Sequence, residues 1–189
     1  MWLPARALIV GLASLALAGC SLLSGSFGDL KTAPSVDIPR YMGNWRVVAH
    51  IPYFAEDSCF DSIESYALRP DGDIDNWFSC RKHSASAPLQ RQATARAVIA
   101  NPRTHAEWNV RFFGFLRIKY VVLAVDPDYQ WAAVAHPSRQ YGWILSRSGT
   151  LTAQTYKVAL QAFAAAGYDT ARFERVPQVA QALNPPPFH

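Results

Sequence analysis

The sequence predicts an all-β fold: eight short antiparallel strands in a meander or barrel, then one amphipathic helix and a short final strand. Three observations carry this expectation. Segments of alternating apolar and polar residues recur between residues 41 and 146. Turn-forming groups separate several of them, among them Pro70-Asp71-Gly72-Asp73, Asn101-Pro102, Asp126-Pro127-Asp128 and His136-Pro137-Ser138. One stretch, residues 153–166, breaks the rhythm with helical spacing.

In the first strand Trp45, Val47, Ala49 and Ile51 alternate with Arg46, Val48 and His50, giving one apolar face, and Pro52 ends it. Residues 60–69 form the second strand, and the Asp-Gly turn returns the chain into a third over 74–80. A loop at 84–88 precedes a weakly alternating fourth strand, 92–100. Trp108, Val110 and Phe112 alternate with Asn109 and Arg111 in the fifth, which Gly114 breaks. Residues 119–125, 130–135 and 141–146 complete the eight. Thr152 suits the N-cap of the helix and Gly167 its end, and Tyr156, Leu160 and Phe163 share one of its faces. A short strand around 172–176 follows, then a Pro-rich tail.

The first nineteen residues read as a secretory signal: Arg6 gives a positive start, residues 7–18 are almost wholly apolar, and small residues precede Cys20. Leu17-Ala18-Gly19-Cys20 resembles the lipobox of bacterial lipoproteins. The resemblance implies cleavage before Cys20, acyl chains on that residue and, with Ser21 following, an outer-membrane address. Residues 20–35, rich in Ser and Gly, are expected to be the lipidated cysteine and its tether, 36–178 one folded domain, and 179–189 a tail. Without residues 1–19 the chain keeps 17 of its 18 Lys+Arg against 14 Asp+Glu, a formal charge of +3. That mild charge, with no basic run, excludes an electrostatic nucleic-acid binder. Export favours a disulfide between the remaining cysteines, Cys59 and Cys80, and no paired Cys or His spacing suggests a metal site.

Three blocks in order carry a family resemblance. Val36-Asp37-Ile38-Pro39-Arg40-Tyr41-Met42-Gly43-Asn44-Trp45 resembles the opening segment of lipocalins, with its Gly-x-Trp at Gly43 and Trp45. Asp126-Pro127-Asp128-Tyr129 resembles the second block, and Tyr141-Gly142-Trp143-Ile144-Leu145-Ser146-Arg147 the third. Between them, residues 66–72 and 110–114 are similar to bacterial lipocalins and apolipoprotein D. The resemblance implies an eight-stranded antiparallel up-and-down β-barrel around a site for one small ligand. It also implies that Arg147 packs on the Trp45 indole at the closed end, a structural pairing.

Strand parity turns Val110 and Phe112 inward if Asn109 and Arg111 face water. The resemblance places Tyr66 and Trp143 at pocket positions, and Val121 where a relative has an aromatic. Ser62, Glu64 and Leu68 share the face of Tyr66, so Glu64 lies solvated near the open mouth or contacts the ligand. The bland reading of each aromatic is core packing. Expected ligand-binding residues are thus Glu64, Tyr66, Val110, Phe112, Val121 and Trp143, for a fatty acid, lysophospholipid or similar amphiphile, with no cofactor. A structural lipoprotein with a filled barrel is the alternative. An enzyme comes third: neither Gly-x-Ser-x-Gly nor His-Glu-x-x-His occurs, and on this parity no His faces inward.

Overall fold

A computed structural model describes residues 30–179. The signal segment, Cys20 and residues 180–189 lie outside the described residues. Eight strands follow one another: β1 Gly43–His50, β2 Cys59–Leu68, β3 Ile74–Lys82, β4 Gln90–Ile99, β5 Glu107–Phe112, β6 Leu116–Val125, β7 Trp131–Ala135 and β8 Gly142–Ser146. Each is antiparallel to the next. β1 pairs with β8 (Arg46↔Ser146 to His50↔Trp143) and also with β2 (Gly43↔Tyr66 to Arg46↔Ile63), so the sheet closes on itself. The result is the expected up-and-down barrel, in which each of the eight strands has a neighbour on both sides.

Helix α2, Ala153–Ala165, comes after the barrel strands, capped by the Thr152 side chain, which accepts from the Thr155 N–H at 3.0 Å. Gly167 at φ +79° supplies the left-handed residue that ends it. β9 is Glu174–Arg175 and extends the sheet beside β1. A short helix, α1 (Ile38–Tyr41), was not legible as an element in the sequence; Asp37 caps it and Pro39 sits in its first turn. Residues 30–35, assigned to the tether on sequence, run against the barrel: Leu30 and Ala33 are buried, and the Ala33 N–H donates to the Val122 carbonyl.

Two apolar layers hold the fold together. Inside the barrel lie Trp45, Val47, Tyr66, Ile74, Ala97, Trp108, Val110, Val122, Ala132, Val134 and Leu145. Outside it, Ala159 and Phe163 of α2 pack on Val121, Ala133, Ala135 and Ile144. This second layer needs a bare surface on β8: a Cβ at Gly142 would come within 2.9 Å of both Phe163 and Phe173. Half of the barrel wall is therefore apolar on both faces, and the sequence alternation fails there.

β1 shows the consequence. Its register against β8 shifts between Val47 and Ala49, so Val48 and Ala49 both join the outer layer, and the Val48 carbonyl accepts from the Val176 N–H instead of β8. Simple alternation put Ala49 and Ile51 with Trp45 and His50 on the polar side. The bulge reverses that: Ala49 and Ile51 lie outside, and His50 pairs with Trp143 on the inner face. The expectation that no His faces inward is corrected by this one-residue slip.

Cys59 and Cys80 are disulfide-bonded, with their Cα atoms 5.6 Å apart. The bond ties the start of β2 to the end of β3 and packs on Phe78 and Ala93. Closing a loop of 21 residues' separation is worth about 3 kcal/mol on the chain-entropy estimate.

Candidate functional site

Inside the barrel, the side chains toward one end are buried, and several toward the other keep accessible surface. Strand direction places the start of β1, the β2–β3 turn and the end of β8 at one end, with α1 across it. There Trp45 is fully buried, and its indole N–H donates to the Tyr41 carbonyl at 2.8 Å. The Arg147 guanidinium lies 3.7 Å from the Trp45 ring centroid. It also donates to the carbonyls of Asn44, Arg40 and Met42 at 2.8–2.9 Å. One cation thus ties α1 and the entry to β1 onto the end of β8. Gly43, at φ +94°, lets the chain turn there beside Arg147.

Above this pair is an aromatic plug. Tyr120 stacks on Trp108 at 4.7 Å, and Tyr41 and Tyr66 meet Trp108 edge-on at 5.4 and 5.7 Å. The three phenols bond to one another, Tyr41 to Tyr120 at 2.7 Å and Tyr66 to Tyr120 at 3.0 Å. Burial raises all three hydroxyls well above their ordinary range, so they stay neutral donors and acceptors.

The opposite end is partly covered by the β1–β2 connection. Glu56, buried within it, accepts from the Tyr53 hydroxyl at 2.8 Å and the Trp143 indole N–H at 2.9 Å, and bonds His50 Nδ1 at 2.7 Å. Tyr53 meets the Trp143 and Tyr141 rings edge-on at 6.0 and 5.5 Å. One carboxylate therefore pins the connection to the inner walls of β1 and β8. Phe54, Phe113 and Phe115, 74–89% exposed, stand on the loops at this end.

Between plug and cover lies Glu64. The register sets it opposite Trp45 on β1 and Phe78 on β3, so it points into the barrel. Its Oε2 accepts from Asn76 Nδ2 at 2.6 Å. Burial, reinforced by the negative charge of Glu56, pushes its carboxyl up to about 8 against the opposing Asn76 bond. A carboxyl with a raised folded-state pKa holds a proton that the unfolded chain has lost. Its contribution to stability is largest below the unfolded value of 4.5 and falls as pH rises toward 8. Urea unfolding from pH 5 to 9 is expected to show a declining stability that Glu64→Gln flattens; an unchanged slope in the variant would remove Glu64 as its source.

The predicted site residues separate accordingly. Phe112, Trp143 and Glu64 face inward and keep accessible surface, as do Ile118 and Ala95. Val110 and Tyr66 face inward but are buried in the packed lower half. Leu68 lies at the closed-end rim, 47% exposed, and Ser62 is fully buried with no hydrogen-bond partner for its hydroxyl among the described residues. Val121 is corrected: it is fully buried under α2, and its neighbour Tyr120, opposite Trp108, is the inward residue. Sequence reasoning missed Tyr120, Asn76, Phe78, His50 and Glu56. The Asp71-Gly72 turn would have set Asn76 and Phe78 opposite Tyr66 and Glu64; nothing local marked Glu56.

The model of the Lipocalin-like domain family matches residues 36–178. This chain is a lipocalin. It is similar to temperature-induced lipocalin-1 of Arabidopsis thaliana, 31% identical over 163 residues that cover 79% of this chain and 83% of the relative. It is also similar to outer membrane lipoprotein Blc of Escherichia coli K12, 30% identical over 142 residues, 75% of this chain and 79% of that one. The Blc of Vibrio cholerae is 29% identical over 174 residues, 92% and 99% of the two chains. Among solved structures, insecticyanin from the tobacco hornworm superposes with a TM-score of 0.63 at 20% identity, covering 82% of this lipocalin and 88% of insecticyanin. The family is one of proteins that bind small hydrophobic ligands in such a barrel.

Proposed function

We propose that this lipocalin is an outer-membrane, lipid-anchored carrier of single-chain amphiphiles, such as fatty acids or lysophospholipids, with its barrel facing the periplasm. The carrying observation is a set of apolar side chains toward the open end: Phe112, Ile118, Ala95 and Trp143 face inward by register and retain accessible surface. An acyl chain needs a broad apolar wall and few directed polar groups, which these residues supply. The exposed phenylalanines around the mouth give it an apolar approach. The aromatic plug supports the filled-barrel alternative for the closed half, and the inward residues above it that keep accessible surface support the carrier reading. The anchor and address rest on Leu17-Ala18-Gly19-Cys20 and on relatives named as outer membrane lipoproteins. In this reading residues 1–19 are removed, Cys20 carries the acyl chains, 20–35 lead to the domain at 36–178, and 179–189 trail from it.

Titration with hexadecanol, palmitate and lysophosphatidylcholine, followed by tryptophan fluorescence, tests the carrier reading. Saturable quenching by at least one is expected. Trp143→Ala is expected to weaken that binding about tenfold while the barrel stays folded, since the side chain is half-buried and covers the ligand space. Binding equal to the parent would remove Trp143 from the pocket wall.

A further inference from the structure

The inner wall carries an acidic side chain with no cation beside it among the described residues. Glu64 points into the barrel from β2, and among the described residues its one hydrogen bond is from the neutral Asn76 amide. The second inward carboxylate, Glu56, is already held by Tyr53, His50 and Trp143. Among the described residues, the registers turn Arg46, Arg91, Arg96, Arg111, Arg117 and Lys119 to the outer face. Lys82 has inward parity at the end of β3, but its ammonium is taken by the carbonyls of Ala55 and Asp57. Arg147 lies below the plug, on Trp45 and the backbone of α1. A fatty-acid carboxylate entering this barrel would thus meet no counter-ion, and a like charge once Glu64 ionises. An ammonium group would supply the partner that Glu64 lacks, while its alkyl chain lies along Phe112, Ile118 and Trp143 toward the mouth.

We propose that the ligand class is a single-chain amphiphile with a primary ammonium head, and that Glu64 is the residue that binds the head. The inference rests on the carrier reading above and narrows it to one charge type. It fits the chemistry of the pair: an ion pair formed away from water is worth keeping only when both charges find partners, and here the ligand provides the second. Asn76 holds one carboxylate oxygen, leaving the other for the head.

The pairing has a pH signature. In the empty barrel the Glu64 carboxyl is pushed up to about 8. Binding an ammonium then displaces its proton, so affinity should rise by roughly tenfold per unit from pH 6 toward 8 and level off above it. A long-chain amine, with a pKa near that of lysine at about 10.4, stays cationic throughout. The other groups facing the interior are Tyr41, Tyr53, Tyr66 and Tyr120, all raised above their ordinary value by burial, and the Glu56–His50 pair. The tyrosines do not titrate in this range, and Glu64→Gln leaves the Glu56–His50 pair in place as its own control.

The test is the affinity of the full chain for hexadecylamine, palmitate and hexadecanol at pH 6, 7, 8 and 9, in the parent and in Glu64→Gln. Expected at pH 8 is hexadecylamine binding at least tenfold tighter than palmitate, an advantage lost in Glu64→Gln, with hexadecanol changed less than threefold. The parent's pH profile gives the same answer without any variant: amine affinity rises toward pH 8. Palmitate binding as tightly as the amine would overturn the inference and leave the carrier reading intact. So would an amine preference that survives Glu64→Gln, or a flat pH profile. Failure of all three ligands, hexadecanol included, would overturn both.

Discussion

Trp45→Ala is expected to lower the stability of the barrel by about 3–5 kcal/mol in urea unfolding, the range for truncating a buried large aromatic. The side chain is fully buried and makes three different contacts. Its indole N–H satisfies the Tyr41 carbonyl, its face receives Arg147 at 3.7 Å, and it packs on the Tyr41 ring at 5.1 Å with the planes tilted by 38°. Removing it opens a void under the plug and takes the aromatic face from the guanidinium that ties α1 to β8. Trp45→Phe keeps a ring but loses the N–H, so a smaller loss is expected. The void lies under the plug, so the closed end should loosen before the mouth does, although Arg147 keeps its carbonyl partners there. Equal stability of Trp45→Ala and the parent would contradict the role assigned to this pair.

Cys20→Ala is expected to move the protein from the membrane fraction to the soluble fraction, or to leave it unprocessed with its apolar leader attached. Each buried methylene contributes about 0.8 kcal/mol, a single acyl chain holds only marginally, and several hold firmly. No helix among the described residues is long and apolar enough to cross a membrane, so the barrel offers no helical substitute for the acyl chains. Fractionation of cells expressing the parent and the variant, with the mass of the mature N-terminus, reads the outcome. Normal cleavage with unchanged membrane attachment would contradict the lipobox reading.

Much of the fold was legible because turns and one-sided strands leave strong local marks. Asp71-Gly72 fixed the β2–β3 hairpin, and Gly43, Trp45 and Arg147 marked the closed end before any contact was visible. The sequence became ambiguous where both faces of a strand are apolar. On β6 one face fills the barrel and the other lies under α2, so Tyr120, Val121 and Val122 carry no polar marker to set their parity. The assignment of Val121 to the pocket failed for that reason. The β1 bulge turned His50 inward for a related one: Val48, Ala49 and Ile51 are all needed on the outer side. Glu64 stood out in the sequence as a carboxylate on an inward face, but its depth depended on long-range pairing with Asn76. Glu56 gave no signal, because its partners lie on β1, in its own loop and 87 positions away on β8.

The central claim is that the upper half of this barrel holds one amphiphile while the lower half is filled by its own side chains. Native mass spectrometry of the full-length protein, extracted from its membrane in mild detergent, tests it most directly. The account predicts a species heavier than the acylated chain by one single-chain amphiphile. It also predicts that organic extraction strips that mass and added ligand restores it at one per barrel. A lipid-free chain that takes up neither charged nor neutral C16 amphiphiles would contradict it and leave a solid, structural barrel.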